Sequence, residues 1–152
     1  MNRLSRYVAE GSCGSQPPVI LLVEDELIVR EVTCQVLEYA GYQVLQATGP
    51  EEAIRIATDH AGQIRLLLTD VVMPGMNGAE LAEQLERAHP DLVTVFMSGY
   101  AEADVLRNAM RRRPLIHIQK PFTVDLLLAR LADALHRGLG DEQPAGSASV
   151  SC

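Results

Sequence analysis

Apolar and polar positions follow one another in blocks along the chain. Five short apolar runs are separated by stretches with helical spacing. The runs are Val19-Val23, Tyr42-Gln46, Arg65-Thr69, Leu92-Met97 and Leu115-Ile118. VILLV and RLLLT are almost continuously apolar, as strands covered on both faces by helices are. Between and after the runs, apolar residues recur every three or four positions. In the first stretch Ile28, Val32 and Val36 share a face, with Val29, Leu37 and Ala40 beside them. Ala53, Ile54 and Ala57 mark a second helix, and Leu81 and Leu85 a third. Val105, Leu106, Ala109 and Met110 mark a fourth, and Val124, Leu127, Leu128, Leu131 and Leu135 a fifth. Gly41 suits the position just past the first helix, Pro50 the first turn of the second, and Thr123 the cap of the fifth.

Strands and helices that alternate with short links predict right-handed crossovers and a doubly wound, five-stranded parallel α/β sheet with five helices. In such sheets ligands bind outside the carboxyl ends of the strands. Glu24 and Asp25 follow the first strand, Asp70 the third, Ser98 the fourth and Lys120 the fifth. The topology therefore gathers three carboxylates, a hydroxyl and an ammonium on one rim.

Three crowded carboxylates repel one another, and a hard divalent cation relieves that repulsion. Mg²⁺ takes oxygen ligands, typically one or two carboxylates together with phosphate oxygens. Asp70 is the best placed nucleophile, and a carboxylate nucleophile forms an acyl-phosphate. Lys120 would pair with charge developing on the phosphoryl group, and Ser98 would donate a hydrogen bond to it.

Bulk properties narrow the class. A chain of 152 residues suits one domain, and its net charge of −7 argues against non-specific nucleic-acid binding. The basic cluster Arg111-Arg112-Arg113 fits a helix C-terminus, where cations meet the negative end of the dipole, with a partner-docking patch as the alternative. Cys13, Cys34 and Cys152 form no metal or disulfide pattern, which suits a reduced, cytoplasmic setting. No apolar run is long enough to span a membrane, and no signal peptide is evident. Residues 1–16 and 139–152 read as a flexible lead and tail around a domain at 17–138.

VILLVEDE (Val19-Glu26), LLLTDVVMPGMNG (Leu66-Gly78), VFMSGYAE (Val95-Glu102) and IQKPF (Ile118-Phe122) together resemble the receiver domain of two-component response regulators. FMSGYAE with QKPF is most similar to the C-terminal receivers of hybrid histidine kinases. The resemblance implies a flavodoxin-like sheet with strand order 2-1-3-4-5. It also implies a phosphorylation-dependent switch in a phosphorelay, in which Asp70 accepts a phosphoryl group from a sensor histidine kinase or a histidine phosphotransfer domain. Glu24, Asp25, Asp70 and the backbone carbonyl of Val72 would hold Mg²⁺. Ser98 would be the switch hydroxyl, Lys120 the phosphoryl-binding lysine, and the Lys120-Pro121 bond would be cis. The switch position on strand five, usually Tyr or Phe, is His117. The fourth helix, fifth strand and fifth helix would form the output face and a possible homodimer interface, with no nucleic-acid or membrane partner.

Two other readings use the same residues. An aspartate-nucleophile phosphatase of the haloacid dehalogenase type also combines Asp, Ser or Thr, Lys and Mg²⁺, but needs a second Asp where Val72 stands. A pseudo-receiver that only binds partners would be expected to lack Asp70 or Lys120, and both are present.

Overall fold

The computed structural model describes residues 17–99 and 116–140. Five strands, β1 (Val19–Val23), β2 (Gln43–Ala47), β3 (Ile64–Asp70), β4 (Val93–Ser98) and β5 (His117–Gln119), form one sheet in the order β2-β1-β3-β4-β5. Every neighbouring pair is parallel. Four helices are seen among the described residues: α1 (Leu27–Tyr39), α2 (Pro50–Asp59), α3 (Gly78–Ala88) and α4 (Val124–Gly140). α4 is the fifth helix of the sequence pattern. The stretch predicted as a fourth helix, the Arg111-Arg112-Arg113 cluster, and almost all of the predicted lead and tail lie outside the described residues.

Alternation along the strands builds two cores. Ile20, Leu22, Leu66, Leu68, Met97 and Ile118 pack against Leu37 of α1 and Leu127, Leu128 and Leu131 of α4. Leu21, Val23, Leu67 and Phe96 point the other way, onto Ala53 and Ala57 of α2 and Leu81, Ala82 and Leu85 of α3. A strand buried on both faces, as β1 is from Ile20 to Val23, needs apolar side chains at odd and even positions alike, which is why VILLV shows no polar alternation. Each fully buried Leu or Ile here stabilises the fold by about 1.5–3 kcal/mol relative to exposure.

The helix ends follow the sequence signals. Gly41 adopts φ 104°, and its N–H bonds to the Glu38 carbonyl (3.0 Å) while that of Tyr42 bonds to Leu37 (3.1 Å). This is a Schellman closure of α1, with Tyr42 folded back onto the same core as Leu37. Tyr42 is consequently spent on the helix end, and β2 starts one residue later than the pattern predicts. Pro50 opens α2, and the Thr123 hydroxyl accepts from the Leu126 N–H at 3.0 Å at the start of α4.

The buried face of α1 differs from the predicted one. Ile28 and Val32, assigned to the core stripe, are 73% and 55% exposed, while Thr33, Cys34 and Leu37 are buried. The helix LIVREVTCQVLEY carries apolar residues almost all round, so periodicity alone does not choose its face. The Schellman turn does, because it fixes Leu37 and Tyr42 against the sheet. Val124 of α4 is likewise exposed, although Leu127, Leu128, Leu131 and Leu135 are buried as expected.

Candidate functional site

The carboxyl ends of β1, β3, β4 and β5 converge on one rim. Glu24 continues the alternation of Ile20 and Leu22, Asp70 that of Leu66 and Leu68, and Lys120 that of Ile118. The three polar side chains thus cap three apolar rows on the α1/α4 side of the sheet. Asp70 is the last residue of β3 and Ser98 the last of β4, each one residue further along its strand than the sequence pattern marks.

The Lys120 ammonium stands 2.6 Å from Asp70 Oδ1 and 3.3 Å from Glu24 Oε2. Glu24 and Asp70 are buried, and Asp25 is exposed. One oxygen from each of these three carboxyl groups lies within 4.8 Å of the others. Burial is the largest influence on Asp70. Together with its hydrogen bond to Glu24 and the Glu24 charge, burial pushes the carboxyl up to about 8 against the pull of Lys120. Burial also works to raise Glu24. There the hydrogen bonds from Asp70 and from the Glu26 N–H, with the Lys120 charge, outweigh burial and hold the group below its ordinary value. Lys120 is raised, since its bonds to the two carboxylates overcome the burial that would lower it. Burial and the neighbouring Glu24 thus favour retention of a proton on Asp70, against the pull of Lys120. An oxygen-rich pocket with surplus negative charge suits a hard divalent cation, and the donor set fits Mg²⁺.

The backbone around these groups is fixed by close contacts. A Cβ on Gly78, the first residue of α3, would stand 2.1 Å from the Asp70 carbonyl oxygen, and its N–H already bonds to the Val71 carbonyl at 2.6 Å. Only glycine lets α3 approach the Asp70 backbone so closely. Asn77 and Glu80 cap that helix reciprocally, the Asn77 side chain accepting at 2.9 Å and the Glu80 carboxylate at 3.1 Å. The Lys120 N–H bonds to the Ser98 carbonyl at 2.8 Å, and the Lys120-Pro121 bond is cis, as expected. Arg30 reaches back from α1 to the Glu24 carbonyl at 2.9 Å. Sequence reasoning missed Gly78 and Arg30 as parts of the site. The glycine was visible at the end of MPGMNG, but its role depends on how α3 sits against β3.

Ser98 and His117 occupy the other face. Ser98 shares the side of Phe96, which belongs to the α2/α3 core, and His117 pairs in register with Phe96. The buried Ser98 hydroxyl is hydrogen-bonded to His117 Nε2. Val72 follows β3 with its side chain 55% exposed.

The chain is thus a doubly wound α/β protein with paired acidic groups, an aspartate and a lysine on the carboxyl rim of its sheet. Residues 20–132 match the family model of the response regulator receiver domain, and the chain belongs to that family. It is 36% identical over 118 residues to the sensor kinase CckA of Brucella abortus, covering 78% of this chain and 12% of the kinase. It is 30% identical over 106 residues to sporulation initiation phosphotransferase F of Bacillus subtilis, covering 70% of this chain and 84% of that protein. The solved receiver domain of the hybrid histidine kinase CckA superposes with a TM-score of 0.65 at 32% identity, covering 77% of this chain and 98% of that one. The protein is thus a receiver domain of two-component phosphorelay signalling. It spans about an eighth of the kinase it resembles. Among the described residues no helix is long and apolar enough to cross a membrane.

Proposed function

We propose that Asp70 is the phospho-acceptor of this receiver. A phosphohistidine on a sensor kinase or histidine phosphotransfer domain presents its phosphorus to an Asp70 oxygen. The new O–P bond forms as the N–P bond breaks, and the departing imidazole keeps the electron pair. The observation that carries this reading is Lys120 held 2.6 Å from Asp70, inside an acidic cluster that needs cations to be stable. Lys120 offsets charge on the transferred phosphoryl group. Glu24, Asp25, Asp70 and the Val72 carbonyl are the groups to hold Mg²⁺, which supplies charge neutralisation at the phosphoryl oxygens when bound. A cation held there would compete with the proton that burial favours on Asp70.

The transfer modifies the chain itself, and hydrolysis of the acyl-phosphate resets it, so the protein works as a switch and not as a turnover enzyme. Leu27, Ile28 and Val32 stand exposed on α1 beside the acidic rim, an apolar surface for the donor domain to cover. Ser98 and His117 link the site to β5 and the output face, through which a target or a second copy is reached. Intact-protein mass spectrometry with acetyl phosphate and Mg²⁺ tests the core of this reading. One phosphoryl group is added to the wild type and none to Asp70→Asn or to the chelator-treated protein. Undiminished labelling of Asp70→Asn overturns the assignment.

A further inference from the structure

Ser98 and His117 differ from the other site groups in what they bond to. In the resting structure the Ser98 hydroxyl is engaged by a side chain on the neighbouring strand and not by the acidic cluster. The strand register shows how. Ser98 is level with Gln119, and His117 is level with Phe96, so His117 lies two residues back along β5 on the same face. Two residues of parallel strand span about 6.6 Å, a gap that an imidazole extended along the strand can bridge with its far nitrogen, Nε2. A phenyl ring at the same position offers no acceptor atom.

The proton count at this pair decides its consequence. A serine hydroxyl has one hydrogen to donate, and a neutral imidazole has one nitrogen that donates and one that accepts. Among the described residues, His117 Nε2 is the hydrogen-bond partner of the Ser98 hydroxyl, which is fully buried. A buried hydroxyl hydrogen without an acceptor is costly, and an Nε2 that accepts, with the ring proton on Nδ1, is the tautomer that satisfies it.

We infer that His117 is a positioning residue that holds the Ser98 hydroxyl hydrogen away from Asp70, so that phosphorylation has to take this hydrogen from His117 before the switch closes. The inference rests on the reading of Asp70 as phospho-acceptor. The hydrogen goes either to Nε2 or to a phosphoryl oxygen, never to both. His117 therefore competes with the phosphoryl group and favours the resting state. An aromatic carbocycle at position 117 exerts no such pull. In this chain the residue on strand five acts before phosphorylation, as an acceptor, as well as after it.

Beryllofluoride with Mg²⁺, titrated calorimetrically into the full chain, measures the competition. His117→Phe binds the mimic about fivefold more tightly than wild type, the equivalent of one ordinary hydrogen bond released. His117→Gln, whose amide oxygen can accept from the hydroxyl, returns most of the way to wild-type affinity. In a Ser98→Ala background the same His117→Phe change has no effect, because there is no hydroxyl to release. A purely structural contribution of His117 would instead alter binding equally in both backgrounds, and that result overturns the proposal. The imidazole ¹⁵N spectrum of the unmutated protein gives a readout independent of any variant's folding. The resting ring shows an Nδ1–H tautomer with a hydrogen-bonded Nε2, and the Nε2 signal moves on adding beryllofluoride. An unmoved signal contradicts the proposal. Absence of any beryllofluoride binding by wild type sinks the Asp70 reading and this inference together, whereas binding that ignores His117 sinks this inference alone.

Discussion

Glu24 and Lys120 are separated by 96 positions in the chain and by 3.3 Å at the site. The contact joins the end of the outer strand β5 to the end of β1, across the end of β3 where Asp70 lies. Removing the ammonium leaves the buried Glu24 and Asp70 facing each other without a counter-charge. Lys120→Met should therefore lower stability at pH 8 by about 1–3 kcal/mol, less than a fully buried pair costs because Lys120 is partly exposed. Urea denaturation of the metal-free protein measures this, and Mg²⁺ should restore part of the loss.

Asp70→Asn should stabilise the metal-free domain. The Asp70 carboxyl sits at about 8 in the folded chain, against an ordinary value of 3.8. A raised folded value means that the stability contributed by the protonated form is complete below 3.8 and is lost as pH rises through about 8. Asparagine does not ionise, and its amide still donates to Glu24. The melting temperature of Asp70→Asn should exceed that of wild type by a margin that grows from pH 5 to pH 8 and then levels off. A margin that shrinks over that range would contradict the assigned cause.

The same proton links metal binding to pH. A divalent cation seated among Glu24, Asp25 and Asp70 must displace it. Apparent Mg²⁺ affinity should rise by up to about tenfold per pH unit between roughly pH 6 and pH 8, with one proton released per ion. Calorimetry in two buffers of different ionisation enthalpy reads the proton directly, and identical heats in both would exclude its release.

Gly78→Ala tests the close approach of α3 to Asp70. Alanine favours a helix interior by up to about 1 kcal/mol, yet here its methyl meets a backbone carbonyl that has no rotamer to change. The balance should be a net loss of about 1–3 kcal/mol, with slower labelling by acetyl phosphate because Asp70 is displaced. A stabilised variant with wild-type labelling would show that the backbone yields easily.

Single alanine substitutions on α1 report its true orientation. Leu37→Ala should cost about 2–5 kcal/mol, and Ile28→Ala and Val32→Ala less than about 0.5 kcal/mol each. Chemical denaturation distinguishes this pattern from the one that periodicity alone predicts, in which all three would be costly.

These contrasts show where sequence is sufficient. The limits of β1 were legible to the residue, because a doubly covered strand must be apolar throughout and Glu24 ends the run. The rim residues were legible because the topology dictates which strand ends meet. The face of α1 was not, since Ile28 and Val32 are as apolar as Val36 and Leu37, and only the turn at Gly41 breaks the tie. The bond between Ser98 and His117 was not either. It depends on the register of β4 against β5, and no spacing within one strand encodes that register.

The pleat that separates Glu24, Asp70 and Lys120 from Ser98 and His117 makes the sheet a partition between two compartments of side chains. Changing a residue by one position along β4 or β5 moves its side chain from one compartment to the other. The electrostatics of the acidic cluster and the hydrogen bonding of the Ser98–His117 pair can therefore be altered by separate sets of substitutions. They are joined by the backbone bond from the Lys120 N–H to the Ser98 carbonyl, and would meet again at a phosphoryl group on Asp70. Engineering a receiver of this kind to be slower or faster to respond, without altering what it reacts with, becomes a matter of choosing the side of the partition on which to work.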